Sequence, residues 1–220
     1  MDYAALWVSL QLAFFTLLVL LPLGLYFGRL MAFKQFFGKS ICQGLILLPL
    51  VLPPTVLGYY LLASLGSQTA LGRWLQVTFG ISLVFHFSGL LLASVIFNIP
   101  FMLQPIQRAF ESIPHTLREA ALVSGLSASQ SFFRVELPLA WPGIVSAIAL
   151  TFVHTLGEFG VVMMLGGNIP GETRTLAIAI YDEVQAFNLA GAQQMSAALL
   201  IFSLLAVTLS FYASSRLVKR

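Results

Sequence analysis

His154 and Glu158 are the residues whose types and spacing first point to chemistry. They stand four apart, which puts them on one face of a helix. A histidine and a carboxylate so placed could relay a proton, ligate a metal or line a polar path. The H-E-x-x-H pattern of a helix-borne zinc site is absent, and one His with one Glu is too few ligands, so no metal is expected. The surrounding stretch, 139–165, is apolar. A carboxylate at bilayer depth costs roughly 2.5–3.5 kcal/mol and must face a bundle interior or a water-filled cavity. Glu158 therefore either makes an interhelical hydrogen bond or lines and gates a path, with Thr151, His154, Gly157 and Gly160 beside it. A second feature is Pro49, Pro53 and Pro54 in one apolar run. Proline removes an amide donor and crowds the carbonyl four residues back. Three of them must bend or break the helix, giving either a packing kink or, at Pro53-Pro54, a discontinuous helix that lines a pathway.

The composition says what kind of body must position these residues. Of 220 residues, 59% are hydrophobic and 9% are charged, with mean hydropathy +0.93. A soluble domain is about 45–50% apolar and about 25% charged. Too little charge is present to cover a soluble surface, so a soluble enzyme domain and a disordered chain are both excluded. The single Cys42 excludes a disulfide scaffold. The 11 Lys and Arg form no continuous basic stripe, and nucleic-acid binding is not expected. They fall instead in the connectors between apolar runs, where they report orientation.

The expected fold is all-α and polytopic, one transmembrane domain over 1–220. About 20 apolar residues cross a bilayer core of about 30 Å as helix. Five runs qualify: 6–28, 41–65, 79–103, 139–165 and 194–215. The first lacks a basic leader, is long for a signal sequence and follows Asp2, so it is expected to stay. Arg29, Lys34, Lys39, Arg108, Arg118, Arg134, Arg216, Lys219 and Arg220 fall on one side, against Arg73 and Arg174 on the other. This places the N-terminus outside and the C-terminus in the cytoplasm. No internal repeat is visible, which favours a symmetric dimer over a self-contained carrier. Gly24 and Gly28 allow close helix approach, and His86 is expected as a polar contact within the third span. The outer loop from Gly166 to Gln193 has an apolar stretch, Leu176 to Tyr181, fit to re-enter the bundle or lie along it. Gly38-Lys39-Ser40 resembles the end of a phosphate-binding loop, but Phe33 stands where its first glycine belongs, so no nucleotide binds there. Between 40 and 72, 74 and 107, and 135 and 173 no Lys or Arg occurs. The membrane part therefore reads as a conduit, without a fixed cation to trap an anion.

The loop over 104–138 carries most of the mid-chain charge. Pro114 suits the start of a helix. Leu117, Ala120, Ala121 and Ser124 recur at helical spacing, and Gly125 ends it. So small a helix either docks in a groove of a partner or lies at the headgroups. Glu119-Ala120-Ala121, then Gly125, then, after nine intervening residues, Val135-Glu136-Leu137-Pro138, resembles the E-A-A loop of ATP-binding-cassette import permeases, with Val135 where the family has Ile. The resemblance implies that Glu119, Ala120, Ala121, Gly125, Leu137 and Pro138 couple the chain to a cytoplasmic ATPase, with Ala121 on the docking face. It also implies two such ATPases carrying ATP and Mg, a second copy of this chain, an extracytoplasmic binding protein, and a place in the inner membrane. Within the family, Leu48 to Pro54 with Gly58-Tyr59, and Leu156 to Gly160 with Asn168 to Thr175, resemble the molybdate permeases. Sulfate permeases share the Gly-Glu-Phe-Gly type of segment, and tungstate is nearly isosteric with molybdate. An ATP-independent channel or carrier using Glu158 and His154 would leave the E-A-A helix unexplained.

Overall fold

A computed structural model describes residues 1–218 of the chain. Helix α1 (Tyr3–Phe33) starts at Asp2, whose carboxylate accepts the Ala5 amide at 2.9 Å. Trp7 and Tyr26 are both largely exposed on it. They stand nineteen residues apart, or roughly 28 Å of helix, close to the thickness of the hydrocarbon core. Amphipathic rings at that separation suit the two membrane interfaces.

Helices α2 (Lys39–Val51) and α3 (Pro54–Leu65) meet at 107°. The run 41–65 is thus two helices joined at a sharp break and not one kinked helix. Helix α4 (Ala70–Phe79) is capped by Thr69, which accepts the Gly72 amide, and it ends at Gly80 with φ +68°. Helix α5 (Phe87–Glu111) follows. The third span therefore lies about eight residues beyond the expected 79–103. Left-handed backbone at Gly80 and Phe85 (φ +63°) interrupts the apolar run, and hydropathy alone does not separate an apolar connector from a span. His86 lies just outside α5, exposed, with Nδ1 at 3.0 Å from the Val84 carbonyl. It is a loop residue, contrary to the expectation of a contact within the span.

Beyond α5 come α6 (His115–Val123), α7 (Ala128–Ser131), a π-helical turn (Phe132–Glu136), α8 (Leu137–Gly157) and α9 (Gly160–Gly166). Helices α10 (Leu176–Gln185) and α11 (Leu189–Val218) complete the described chain. The fourth span ends at Gly157 and not at 165, because the backbone of Glu158 is extended. Helix α10 lies along the bundle as its apolar run implied: Leu176 and Ile178 are buried, and the Leu176 amide donates to Ser9 Oγ at 2.8 Å. Among the described residues, four unbroken stretches are long and apolar enough to cross a membrane, and the bent α2–α3 pair makes a fifth if it counts as one span. Of the tail cations used for orientation, Lys219 and Arg220 lie outside the described residues, as does the side chain of Arg216.

The core forms where α1, α5 and α8 meet, around Leu20, Met102, Ile106, Phe110 and Ile144. The Gly24/Gly28 pair is used here, within the chain. A Cβ on Gly24 would lie 2.7 Å from Met102 Cγ, and one on Gly28 would lie 2.8 Å from Ile106 Cγ2. Gly28→Leu is expected to lower stability by about 1–3 kcal/mol through overpacking. Gly44→Ala, where a Cβ meets no atom within 4 Å, should stay within about 0.5 kcal/mol of the parent. Thermal unfolding midpoints of the two variants in detergent check the pair.

Candidate functional site

Two helix breaks build the first centre. Leu52 and Pro53 each precede a proline, which disfavours the helical region for both. They take extended backbone (ψ 140° and 135°), and Pro54 restarts the chain as the first residue of α3. The second break is at Glu158 (φ −69°, ψ 126°) and Phe159, before Gly160 opens α9. The breaks face each other. A Cβ on Gly160 would lie 2.8 Å from Pro54 Cβ, and one on Gly58 would lie 2.7 Å from Met164 Cβ. Between them is a cavity of about 370 Å³ lined by Pro54, Phe97, His154, Gly157, Glu158 and Gly160, among others. Among the described residues, no Lys or Arg lines it.

Glu158 and His154 do not share a helical face as their spacing implied, since Glu158 lies beyond the end of α8. Asn98 of α5 brings them together. Its Nδ2 donates to Glu158 Oε2 at 3.2 Å, and its Oδ1 accepts from His154 Nδ1 at 3.0 Å. The same amide donates to the Ser94 carbonyl (2.9 Å) and Ser94 Oγ (3.2 Å), and Thr16 Oγ1 of α1 donates to Ser94 Oγ at 3.0 Å. A buried polar chain thus runs from α1 through α5 to the α8–α9 break. His154 is held flat against Phe101, ring centroids 3.7 Å apart. Thr151 is buried on α8 and does not line the cavity. Its Oγ1 and Glu158 Oε1 are buried oxygens without a protein hydrogen-bond partner among the described residues. Asn98 escaped the sequence reading. Its signal was an amide inside an apolar run, four residues after Ser94.

The second centre is the loop joint. Helix α6 runs from His115 to Val123, and Gly125 (φ +77°) turns the chain. The Gly125 amide then donates to the Leu122 carbonyl and the Leu126 amide to the Ala121 carbonyl, closing the helix end. Glu119 is exposed and pairs with His115 at 3.1 Å, and Ala120 is exposed. Ala121 is only 6% exposed. It packs inward and is not open as expected; Leu117, Leu122 and Val123 are the exposed apolar residues of the helix. Pro138 is exposed and Leu137 half-buried at the start of α8. Pro138 has no N–H to give the Arg134 carbonyl and crowds it. The chain widens there into the π turn, in which the Leu137 amide reaches the Phe132 carbonyl.

That turn delivers Glu136, 2% exposed, to two arginines. Arg29 of α1 donates through Nε to Oε2 (2.5 Å) and through Nη2 to Oε1 (3.1 Å). Arg118 of α6 donates through Nε to Oε1 at 3.3 Å and lies over the Phe33 ring, 3.5 Å from its centroid. One carboxylate therefore ties α6 to α1 and α8. In sequence, Arg29 and Arg118 mark only orientation, and nothing local to Glu136 gives it a role. At the other end of α1, Arg174 donates to Asn168 Oδ1 (2.6 Å) and approaches Asp182 (3.3 Å) and Asp2 (3.8 Å). This cluster pins the loop after α9 to the helix start.

A multi-helix membrane body with two facing helix breaks, and a short surface helix tied back into it, defines a class of transport subunit. Residues 10–220 match the family described as binding-protein-dependent transport system inner membrane component, and the chain belongs to that family. Among its relatives is the molybdenum transport system permease protein ModB of Azotobacter vinelandii, 42% identical over 98% of this chain and 95% of that protein. The protein of the same name from Haemophilus influenzae is 38% identical over 100% and 95%. In fold, the chain is similar to a bacterial ABC transporter involved in alginate import, with TM-score 0.80 at 19% identity, over 97% of this chain and 79% of that one.

Asn98→Leu would strand His154 Nδ1 and take the Asn98 bond from the buried Glu158 carboxyl. Each buried polar group so stranded costs about 1–3 kcal/mol. The expected result is a folded chain with a clearly lowered melting midpoint, measured beside Gln194→Leu at an exposed position of α11, which should move it little.

Proposed function

We propose that this chain is the membrane-spanning subunit of an ATP-driven importer of molybdate. The observation that carries the reading is the likeness to molybdenum permeases along nearly the whole of both chains. In this reading two copies assemble around the path, two cytoplasmic ATPases bind and hydrolyse ATP with Mg, and an extracytoplasmic protein delivers the oxyanion. The N-terminus lies outside. The cations at the Arg29, Lys34 and Arg118 end support that orientation, since connectors rich in Lys and Arg stay in the cytoplasm.

The physics agrees with the division of labour. A dianion cannot enter hydrocarbon unaided, because burying an isolated charge costs tens of kcal/mol in a Born estimate. The facing breaks at Pro53-Pro54 and Glu158 offer non-helical backbone lining a cavity, which membranes tolerate only there. A cavity wall without cations binds an anion weakly and lets it pass, and selection falls to the delivering protein. Glu158 shapes that wall, its carboxyl group held by Asn98. His154 steadies Asn98 from the other side. Thr151 is a buried support behind it. Coupling falls to α6: Glu119, Ala120 and the apolar face around Leu117 meet the ATPase. Ala121, Gly125, Leu137 and Pro138 give the joint its shape, and Glu136 transmits its movement to α1 and α8.

Reconstitution in liposomes with the ATPase and binding protein tests the reading. ATP-dependent molybdate uptake that needs all three parts and resists excess sulfate is the expected outcome. Uptake abolished by sulfate would move the substrate, and anion flux through this chain alone would overturn the mechanism.

Ala120→Glu adds a charge to the exposed face of α6 without entering the core. It is expected to cut uptake at least tenfold while ATP hydrolysis continues. Unimpaired uptake by a well-expressed variant would remove α6 from the coupling role. Glu158→Gln keeps the hydrogen-bonding shape and removes the charge. A changed transport rate at unchanged melting temperature would mark a role in the path, and an unchanged rate a structural one.

A further inference from the structure

The Arg29–Glu136–Arg118 joint forms one end of an open cleft of about 750 Å³ between α1 and the π turn. The cleft has two kinds of wall. Along α1 it is apolar and faces outward, with Leu25, Tyr26 and Leu30, and Phe133 closes it from the π turn. Tyr26 is 66% exposed and Phe133 62%. At the rim stand Arg29, Lys34 and Arg118. Among the described residues, the one acid paired with this group is Glu136. Three positive charges against one negative leave a surplus of two, in a chain of which only 9% is charged.

An occupant must therefore carry an anionic head next to a long apolar body. Free inorganic phosphate would leave the apolar wall uncovered. A lipid with a net-neutral head would leave the surplus charge unmatched. Basic clefts between membrane helices at the cytoplasmic side suit acidic lipid headgroups, and Tyr26 lies at the interface where those heads sit. We propose that this cleft holds one anionic phospholipid of the inner leaflet, its phosphate against Arg118, Arg29 and Lys34 and an acyl chain along Tyr26 and Leu30. The leaflet rests on the orientation proposed above; the binding itself does not. Because the two arginines also hold Glu136, the lipid bears directly on the joint that carries α6. Anionic lipid stiffens that joint.

Native mass spectrometry of the delipidated full-length chain, titrated with phosphatidylglycerol or with phosphatidylcholine of the same acyl chains, tests this without ATPase or molybdate. One phosphatidylglycerol per chain should be retained in preference to phosphatidylcholine. Lys34 is exposed and lies outside α1, so Lys34→Gln leaves the fold intact. It should weaken phosphatidylglycerol binding about fivefold, the ~1 kcal/mol that one basic residue contributes at an anionic surface. Millimolar inorganic phosphate should not displace the lipid. Equal retention of both lipids, no response to Lys34→Gln, or displacement by phosphate would each overturn the proposal. So would a lipid-free dimer that gains no phosphatidylglycerol, since the cleft would then belong to the second copy.

Discussion

A carboxyl group enclosed among membrane helices must find a partner or destabilise the bundle. Glu158 finds Asn98, and much of the architecture is arranged around that contact. Asn98 lies on α5, which packs against α1 on one side and α8 on the other. Its amide reaches Glu158 only because the chain leaves the helix after Gly157, and its carbonyl oxygen reaches His154 one turn earlier. Ser94 and Thr16 extend the contact to α1. Three long helices are thereby registered against one another by polar contacts in an apolar setting, where dispersion alone leaves register loosely specified.

The second carboxylate does the same at the other end by a different route. Glu136 is clamped by two arginines whose own side chains are partly open to solvent. Those arginines keep part of their hydration, so the desolvation cost falls mainly on the carboxylate, and bidentate geometry offsets it. The short helix α6 makes little apolar contact of its own beyond Ala121, so this ion pair and the Phe33 ring under Arg118 set where it sits. A helix held by a few polar contacts thus sits on a bundle held by packing, tied to α1 and α8 together.

The two centres lie on the same helices. Helix α8 begins at the Glu136 clamp and ends at the Glu158 break, and α1 carries both Thr16 and Arg29. Continuous helix therefore connects the joint to the facing breaks. The smallness of Gly58 and Gly160 lets α3 and α9 touch beside the cavity.

Composition and charge were enough, without coordinates, to establish a polytopic all-helical membrane chain, because the bilayer admits so few alternatives. Spacing alone carried the helix over 115–123, its glycine stop, and the resemblance of the loop around it. The proline pair marked the first break, since proline acts through its own covalent ring. What the tertiary structure decided was everything that depends on partners far apart in the chain. Glu136 and Arg29 are separated by 107 positions, and Asn98 and Glu158 by 60. No local periodicity records such pairs. The inward turn of Ala121 and the shift of the third span to Phe87 belong to the same group. Which face of a short helix is covered, and where an apolar run stops being helix, are settled by what packs against them.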